Sequence, residues 1–441
     1  MRSFCRVAES SRRARPSTCS RARVTPTPPA WWRRSLRSGR GRIRPVKALL
    51  LENIHPSGIK LLSERGFEIE ALPGALGEDD LIAALDGVDV LGVRSNTLVT
   101  PRVLAAAPRL RAVGAFCIGT NQIALDDATA RGVAVFNAPY SNTRSVVELA
   151  VAEIIALARH LTDHNRRMHA GEWNKSAKGS HEIRGRTLGL VGYGNIGSQL
   201  SVVAESLGMR VFFYDVVDKL ALGNAKRCDS LEELLSEAET ISLHVDGRRA
   251  NAGIFGDREF GMMRRRSLFL NLSRGFVVDT DALRRHLESG HLAGAAVDVF
   301  ETEPKTNGPG FESPLRGVPN VILTPHVAGS TEEAQANIGG FVAGKLVDYV
   351  TTGATVLSVN LPSVQAAIPN VRRVMHLHRN VPGVLAKINT ILADHGTNID
   401  GQTLATRGQV GYVVLDIAGD LSDAVVEALA AMPEAIRVEV R

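Results

Sequence analysis

The sequence predicts an α/β protein with two consecutive α/β regions, followed by a smaller unit whose elements come in a different order. Three observations lead to this fold class. Short apolar runs alternate with helical stretches from residue 46 onward, a glycine-rich turn at 192–197 joins a strand to a helix, and residues 371–441 have the pattern βαββαβ. Strands that alternate with helices form parallel sheets, whereas the βαββαβ order is ferredoxin-like.

Each element of the first region has a local signal. Apolar runs predict buried strands, and stretches that end at Gly66 or Gly87 or begin at Pro101 predict helices. The expected elements are strands within 46–55, 67–72, 88–95 and 109–117 and helices within 59–66, 78–87 and 101–108.

Two long helices should flank the second region. Residues 143–161 predict one continuous helix that is apolar on most faces, as is typical of a helix buried between layers. Residues 169–176 predict an exposed loop, and a strand from about residue 186 opens the second α/β region, which extends to about 329. Residues 331–350 predict another long helix, which we expect to return to the first region.

A linker-like stretch at 351–370 leads into the carboxyl-terminal unit. The expected elements of this unit are strand 371–377, helix 382–394, strand 397–406, strand 410–417, helix 422–431 and strand 435–440. This βαββαβ order predicts a ferredoxin-like unit.

The positive charge of the chain belongs to its first residues. The formal net charge is +6, but residues 1–46 contain 13 Arg and one acid, so the remainder carries a net charge of −6. We therefore expect residues 1–45 to form a disordered basic tail and the folded body not to bind nucleic acid. Three explanations of the tail stay open: a start site assigned too early, an organelle-targeting segment, or a nucleic-acid or partner tail.

Cysteine usage and hydropathy exclude several other classes. The four cysteines form no CxxC pair, so neither a disulfide framework nor a metal site is expected. No run of about 18 apolar residues is free of charge, so no membrane span is expected. A reducing compartment, most simply the cytoplasm, is the expected location.

The glycine-rich turn has the spacing of a dinucleotide site. Gly192, Gly194 and Gly197 follow a predicted strand and open a predicted helix, and Asp215 ends the next strand 23 residues beyond Gly192. The glycines allow a tight turn, close approach of a pyrophosphate and close helix packing, while the acid can bind both ribose hydroxyls. Apolar Val216-Val217 follows the acid, which predicts a Rossmann-type domain that binds NAD rather than NADP.

Polar residues follow several predicted strands of the second region, where ligands of α/β sheets collect. They are Arg274, Asp298, Glu303 and His326. Oxidation of a hydroxy acid needs a base, which His326 could supply, a carboxylate beside that base, and a guanidinium that binds the substrate carboxylate. The spacing alone does not distinguish Glu303 from Glu301 as the carboxylate.

These motifs together resemble the D-isomer-specific 2-hydroxyacid dehydrogenases, in particular the branch that acts on 3-phosphoglycerate and carries a carboxyl-terminal ACT domain. The resemblance runs from about Val46 to the end of the chain. It is densest in "GAFCIGTNQIALDDATARGVAVFNAPYSNTRSVVELAVAEI", "EWNKSAKGSHEIRGRTLGLVGYGNIG", "LAGAAVDVFETEP" and "LTPHVAGSTEEAQANIG". The family fold implies a flavodoxin-like substrate domain, residues 46–142 and 330–362, into which a Rossmann domain, 143–329, is inserted, with an ACT domain at 371–441.

The resemblance also implies roles for individual residues. Arg274 would bind substrate and stabilise charge, His326 would be the acid/base, and Glu303, rather than Glu301, would orient it because the acid of the family precedes the proline of "TEP". The residues implied to line the NAD site are Gly192, Gly194, Asn195, Ile196, Gly197, Asp215, Leu272, Ser273, Arg274, Asp298, His326, Val327, Ala328 and Gly329. The residues implied for the substrate are Arg94, Ser95, Asn142 and Lys175.

Three departures from the family pattern bear on the substrate and the cofactor loop. Asn96 and Pro73 stand where relatives have cations, which leaves Arg94 and Lys175 for a phosphate. The stretch "LHVDGRRANAGIFG" lacks the usual Pro and Thr, so a locally altered loop is expected there.

The resemblance of the carboxyl-terminal unit implies an ACT domain that binds L-serine between two copies, through His378, Asn380 and Asn398. Asn370-Val371 replaces a Gly-Gly hinge, which could stiffen the junction. An ACT domain used only for oligomerisation is the alternative. A homodimer or homotetramer is expected.

The implied activity is NAD-dependent oxidation of 3-phospho-D-glycerate to 3-phosphohydroxypyruvate, the first step of the phosphorylated route to serine. Reduction of 2-oxoglutarate is an expected side activity. Two alternatives are open: a dehydrogenase of another D-2-hydroxy acid, and a non-catalytic NAD-sensing partner protein.

Overall fold

A computed structural model describes residues 44–304, 307–365 and 372–441. Within these ranges the strands form three sheets of five, seven and four strands. Nearly all of the predicted basic tail lies outside the described residues, and so does the Asn370-Val371 junction. Among the helices of the described ranges, none is long and apolar enough to cross a membrane.

The first sheet is parallel throughout, as the alternation of strands and helices predicts. Its strands have the order β2-β1-β3-β4-β5, which is the flavodoxin-like order. The elements are β1 (Lys47–Leu50), α1 (Pro56–Glu64), β2 (Glu68–Ala71), α2 (Glu78–Ala84), β3 (Val90–Val93), α3 (Pro101–Ala106), β4 (Ala112–Ala115), α4 (Leu125–Ala130) and β5 (Ala134–Phe136). Strands β3, β4 and β5 are fully buried, because helices cover both faces of a parallel sheet.

The prediction of one continuous helix over 143–161 is wrong. The chain forms α5 (Thr143–Ala158) and α6 (Leu161–His169), separated by His160 in the left-handed region with φ of +49°. The Ala158 carbonyl accepts a hydrogen bond at 2.8 Å from the amide of His181, which lies outside both helices. No residue of α6 is buried, so packing does not hold it on the axis of α5.

The second sheet is also parallel, with the order β12-β11-β10-β9-β6-β7-β8. Its elements are β6 (Thr187–Val191), α7 (Asn195–Ser206), β7 (Arg210–Tyr214), β8 (Lys226–Arg227), α8 (Leu231–Glu237), β9 (Thr240–Leu243), α9 (Asp257–Met262), β10 (Ser267–Asn271), α10 (Thr280–Glu288), β11 (Leu292–Val297) and β12 (Val321–Leu323). The chain winds outward in both directions from β6 and β9. A crevice at their carboxyl ends is therefore the expected ligand position.

Helix α11 (Glu332–Thr352) returns to the first sheet, as predicted from its sequence. It packs against α1 and β4, and Val342 and Leu346 join the same buried cluster as Phe116. The chain before α5 and the chain after β12 thus build one layered unit. The second sheet is inserted between these two parts.

The carboxyl-terminal residues form the predicted ferredoxin-like unit. Its elements are β13 (Arg372–Arg379), α12 (Val384–Asp394), β14 (Asn398–Arg407), β15 (Val410–Ala418), α13 (Asp423–Ala430) and β16 (Ala435–Val440). The sheet is antiparallel in the order β14-β15-β13-β16. The face opposite the helices packs on the end of α11, where the Tyr412 hydroxyl donates a hydrogen bond to the Gly353 carbonyl at 2.7 Å.

Candidate active site

The glycine turn between β6 and α7 has the geometry of a phosphate-binding loop. Gly192 has φ of +93°, and a Cβ there would lie 2.6 Å from the His244 carbonyl oxygen, so only glycine fits. At Gly194 the space beside the backbone is open, and no side chain caps the first turn of α7. The free N–H groups and the helix dipole therefore suit a dinucleotide pyrophosphate, and the described residues fit NAD.

Asp215 lies at the carboxyl end of β7, against the glycine loop. Its Oδ2 accepts a hydrogen bond from the Tyr193 amide at 2.8 Å, and its Oδ1 accepts one from the Val217 amide at 2.9 Å. The remaining lone pairs of this half-exposed carboxylate can accept hydrogen bonds from ribose hydroxyls. Val216 beside it is 76 % exposed and offers no charge to a 2′-phosphate.

The loop after β9, where the departure from the family pattern lies, contains a short 3₁₀ turn at Arg249–Asn251. Asp246 fixes this turn, because its Oδ1 accepts hydrogen bonds from the Arg248 amide at 3.2 Å and the Asn251 amide nitrogen at 2.9 Å. Burial lowers the pKa of His244, which precedes this loop, to about 4. The imidazole behind the phosphate loop is therefore neutral.

Asn271, the one polar residue inside the apolar run 268–272, fixes the chain where β10 ends. It is 1 % exposed, its Oδ1 accepts hydrogen bonds from the Ser273 amide and hydroxyl at 3.1 and 2.8 Å, and its Nδ2 donates to the Arg274 carbonyl at 3.1 Å. A Cβ on Gly275 would lie 1.9 Å from the backbone of Phe300. Sequence reasoning assigned no role to Asn271, although a polar residue in a buried strand is a signal for one.

Arg274 lies in the cleft between the two parallel sheets. Its Nη1 donates a hydrogen bond to the Ser273 carbonyl at 2.6 Å. Its guanidinium faces Gly119, in the loop after β4, and Gly247, in the loop after β9. A cation contributed by one sheet thus lies against the carboxyl end of the other.

His326 and Glu303 form a hydrogen-bonded pair. The Nδ1 of His326 lies 2.9 and 3.0 Å from the two carboxylate oxygens of Glu303. Of the two glutamates left open by spacing, it is therefore Glu303, not Glu301, that contacts the histidine. The Phe300 amide donates to Glu303 Oε1 at 3.1 Å and helps to fix that carboxylate.

Asp298 shapes the backbone around His326. It is 1 % exposed, and its carboxylate accepts hydrogen bonds from the Thr324 hydroxyl at 2.6 Å and from the amides of Val327 and Ala328 at 2.8 and 3.0 Å. The His326 amide donates to the Asp298 carbonyl at 2.8 Å, and His326 itself has φ of +54°. This network holds a backbone conformation that histidine adopts infrequently.

The pair has opposite pKa shifts that favour its ionised form. The hydrogen bond to Glu303 raises the pKa of His326 above its ordinary value, although burial opposes the shift. Burial acts to raise the pKa of Glu303, but the hydrogen bonds from His326 and the Phe300 amide outweigh it and lower that pKa. An imidazolium formed during a reaction would be stabilised here.

Glu52 organises the predicted substrate loop at the end of β3. Its carboxylate accepts hydrogen bonds from the backbone amides of Arg94, Asn96 and Thr97 at 3.1, 3.0 and 2.9 Å. Ser95 is exposed within this loop. Sequence reasoning missed Glu52, which is 7 % exposed and has φ of +65°. An acid directly after an apolar strand was the available signal.

The loop that contains Pro73 lies next to Glu52. The Glu52 amide donates to the Gly74 carbonyl at 3.2 Å, and Pro73 is exposed beside it. The two positions that lack the cations of relatives, Asn96 and Pro73, are therefore held next to one backbone anchor. The Arg94 carbonyl is fixed as well, by the Gln122 amide nitrogen at 2.6 Å.

The two other predicted substrate residues, Asn142 and Lys175, lie outside the Arg94 loop. Asn142 precedes α5 and packs its amide against Gly329, where an added Cβ would lie 2.2 Å from Nδ2. Lys175 is exposed in the segment between α6 and β6. Among the described residues, no hydrogen bond or ion pair joins it to Arg274 or His326.

The remaining predicted cofactor residues surround the crevice. Asn195 and Ile196 are the first two residues of α7, and Leu272 and Ser273 directly follow β10 with 6 % and 4 % exposure. Val327 is 39 % exposed beside buried Ala328. The glycine loop, the end of β10 and the loop after β12 thus meet at one edge of the second sheet.

Glu153 is a buried acid that sequence reasoning also missed. It lies on α5, is 3 % exposed, and neither of its carboxylate oxygens has a hydrogen-bond partner among the described residues. Burial, and secondarily the charge of Asp298, raises its pKa to about 8. At neutral pH this side chain is mostly an uncharged carboxylic acid.

The three predicted effector residues do not converge within one chain. His378 is buried on β13, opposite Gly411, and Asn380 follows that strand and donates to the Gly408 carbonyl at 3.2 Å. Asn398 begins β14 opposite Ala418, at the other end of β15. Gly411 and Ala418 are seven residue steps apart along β15, roughly 23 Å. Burial lowers the pKa of His378.

The class of the protein follows from these features and from comparison with known proteins. Residues 151–328 match the family described as D-isomer specific 2-hydroxyacid dehydrogenase, NAD binding domain, and residues 374–437 match the AHAS small subunit-like ACT domain. The D-lactate dehydrogenase of Aquifex aeolicus, solved with NAD and lactic acid, superposes with a TM-score of 0.60 at 26% identity over 69% of this chain and 95% of that one. The protein belongs to the D-isomer-specific 2-hydroxyacid dehydrogenases and is an NAD-dependent oxidoreductase.

Within that family the chain is similar to particular enzymes over nearly its whole folded length. It is 48% identical over 395 residues to the D-3-phosphoglycerate dehydrogenase of Escherichia coli (strain K12), covering 89% of this chain and 96% of the relative. It is 46% identical over 396 residues to the D-3-phosphoglycerate dehydrogenase of Dictyostelium discoideum, covering 90% and 97%.

Proposed function

We propose that the protein oxidises 3-phospho-D-glycerate to 3-phosphohydroxypyruvate with NAD⁺, the first step of the phosphorylated route to L-serine. The observation that carries the proposal is the His326–Glu303 pair. This pair lies at the same edge of the second sheet as Arg274 and the glycine loop. The relatives named D-3-phosphoglycerate dehydrogenase support the choice of substrate.

Each residue of the site has a separate role in the proposed reaction. NAD⁺, when bound, accepts the hydride from the carbon that carries the hydroxyl group. His326 takes the hydroxyl proton on Nε2, because Nδ1 faces Glu303. Arg274 binds the substrate carboxylate and stabilises the oxygen on which negative charge develops. Glu303 stabilises the imidazolium that results, and Asp298 holds the loop that carries it.

Recognition of the phosphate is assigned to the Arg94 loop. Glu52 occupies the backbone amides of Arg94, Asn96 and Thr97. The other donors of this loop are the Arg94 guanidinium, the amide and hydroxyl of exposed Ser95, and the Asn96 side-chain amide. Asn96 and Pro73 supply no cation. This observation favours, as the second candidate, a dehydrogenase of another D-2-hydroxy acid. Reduction of 2-oxoglutarate is proposed as a side activity, since that dicarboxylate offers the same carboxylate to Arg274.

Feedback inhibition by L-serine is the proposed task of the ACT domain. The separation of Asn398 from His378 and Asn380 supports a site that two copies complete, and hence a homodimer or homotetramer. A non-catalytic NAD-sensing role is disfavoured by the intact His326–Glu303 pair.

The test is NADH formation from 3-phosphoglycerate with a ketone-trapping agent, with and without millimolar L-serine. The proposal expects turnover that serine suppresses. Turnover that is unaffected by serine would mean that the ACT domain serves only for oligomerisation. Turnover only with other D-2-hydroxy acids would establish the second candidate.

Arg274→Ala tests the assigned substrate contact. We expect kcat/KM to fall about 10²- to 10³-fold, as when an electrostatic donor is removed from an active site. NADH binding, measured by protein-to-nucleotide energy transfer, should remain. Near-normal turnover by this variant would contradict the assignment.

A further inference from the structure

A second cavity lies at the amino end of the NAD sheet, away from the proposed active site. Its volume is about 370 Å³, and its walls include Arg186, Glu239, Ser267 and the consecutive residues Arg264–Arg266. Arg186 precedes β6 and Ser267 begins β10. The five residues of β6 lie between Arg186 and Gly192, which are six residue steps or about 20 Å apart along the strand.

Four guanidinium groups face one carboxylate in this cavity. Glu239 accepts a hydrogen bond from the Thr187 amide at 3.0 Å and lies 3.5 Å from Arg186 Nη2, so its charge is already compensated. Arg264 donates to the Glu237 carbonyl at 3.3 Å. The side chains of Arg265 and Arg266 have no ion pair or hydrogen bond with any described residue. The cavity is therefore strongly positive.

Two donors that line this cavity lack partners. Ser267 is 1 % exposed, and its hydroxyl has no hydrogen-bond partner among the described residues. The Nε of Arg186 is buried and equally unpartnered. Buried polar groups are almost always hydrogen-bonded, so each of these donors would gain a partner if its side chain turned toward an acceptor in the cavity.

The turn that carries the three arginines adds an independent observation. The Ser267 amide donates to the Arg264 carbonyl at 3.1 Å, which closes a four-residue turn, and Arg266 at its third position has φ of +65°. Glycine or asparagine is the usual residue there. An arginine in a disfavoured backbone conformation is best explained by a need for its guanidinium at this place.

We propose that this cavity binds a small phosphorylated anion at a site separate from the NAD and substrate sites. Guanidinium groups bind phosphoryl oxygens bidentately, and the unpartnered Ser267 hydroxyl supplies a further donor. The volume is in the range of small-molecule pockets. Because the site lies at the opposite ends of the strands, its ligand should bind together with the dinucleotide.

The test uses the full chain saturated with NADH, so that the glycine loop is occupied, and inorganic pyrophosphate as the probe in titration calorimetry. We expect saturable binding. Arg266→Gly should weaken it about tenfold or more, the loss expected when a charged hydrogen-bonded pair is removed. Because glycine suits φ of +65°, this variant should keep the wild-type melting temperature and NADH affinity.

Two further variants complete the experiment. Ser267→Ala should weaken pyrophosphate binding by about threefold to tenfold, since one neutral donor is lost. Arg258→Ala removes an equal charge from α9, outside the cavity, and should leave the affinity unchanged. The proposal is overturned by an absence of saturable binding to the NADH-loaded enzyme, by unchanged affinity in Arg266→Gly, or by an equal loss in Arg258→Ala.

Discussion

At the scale of single residues, His326 owes its properties to two neighbours that come from other parts of the chain. Glu303 holds Nδ1 and raises the pKa of the imidazole, while Asp298 holds the backbone of the following residues. Asn271 has the same kind of indirect role beside Arg274. Each reactive side chain is thus positioned by a buried polar residue whose type alone carries no signature of function.

Glu303→Gln should change the pH dependence of oxidation. The neutral form of His326 is the base, so kcat/KM rises with pH through the pKa of that residue, which Glu303 raises. Without the carboxylate this pKa falls, and the acidic limb of the profile should move to lower pH while the maximal rate decreases. The pH profile of kcat/KM measures both effects. Glu301→Gln is the matched control and should leave the acidic limb of the pH profile unchanged. A shift of this limb in Glu301→Gln alone would mean that Glu301, not Glu303, is the partner of His326.

Glu153→Gln should make stability less sensitive to pH. The folded pKa is about 8, against an ordinary value of 4.5, so the unfolded chain releases this proton first and wild-type stability falls as pH rises from about 4.5 to 8. Glutamine keeps the neutral form, so the variant should gain several kcal/mol over wild type between pH 5 and pH 8, at about 1.4 kcal/mol per pKa unit.

Calorimetric melting temperatures at pH 5 and pH 8 provide the measurement for Glu153. Glu148→Gln, an exposed change on the same helix, is the control and should follow wild type. If Glu153→Gln loses as much stability as wild type between the two pH values, Glu153 is not protonated in the folded protein.

At the scale of elements, the loops at the carboxyl ends of the strands are the functional units. The glycine loop, the end of β7 and the loop after β12 each owe their shape to hydrogen bonds between a side chain and backbone amides. At the break between α5 and α6 the long-range contact is a backbone one, in which the His181 amide donates to the Ala158 carbonyl. Hydropathy does not report contacts of this kind.

Asp215→Ala tests the cofactor specificity of the end of β7. Loss of the carboxylate removes the acceptor for the ribose hydroxyls and the charge that repels a 2′-phosphate. We expect the KM for NAD⁺ to rise about tenfold, in line with one lost charged hydrogen bond, and the preference for NAD⁺ over NADP⁺ to shrink. Steady-state kinetics with both cofactors measure this; an unchanged preference would place the discrimination elsewhere.

At the scale of the whole molecule, the ACT domain is joined to the first sheet by charged side chains as well as by apolar packing. The Glu439 carboxylate contacts Arg111 at 3.1 Å, Arg437 at 2.7 Å and also Arg441. Arg437 in turn donates to the Leu110 carbonyl at 2.7 Å. These contacts connect the ACT domain to β4, and the loop after β4 carries Gly119, which the Arg274 guanidinium faces.

Glu439→Gln should loosen this junction. Removal of the charge leaves three largely buried guanidinium groups without their shared partner, which costs about 3 kcal/mol for a buried network. We expect a lower melting temperature and faster proteolysis between the first sheet and the ACT domain. Glu427→Gln, on α13 away from the junction, is the control. Wild-type proteolysis rates in Glu439→Gln would show that apolar packing alone holds the domains.

Local periodicity and spacing along one chain segment predicted the alternation of strands and helices, the glycine loop with its acid, and the βαββαβ unit, but not the break between α5 and α6. It also singled out Arg274 and His326 as polar residues at strand ends. Resemblance, rather than spacing, separated Glu303 from Glu301.

Which residues meet at the cleft and at the second cavity depends on how distant segments pack. Glu52 and the Arg94 loop, Asp298 and the His326 loop, and the orphaned donors beside Arg266 are each brought together by packing of segments far apart in the chain. The same holds for Asn398, which the register of β15 separates from His378. Burial and hydrogen-bond partners are properties of the packed layers, so no pattern along a single strand or helix contains them.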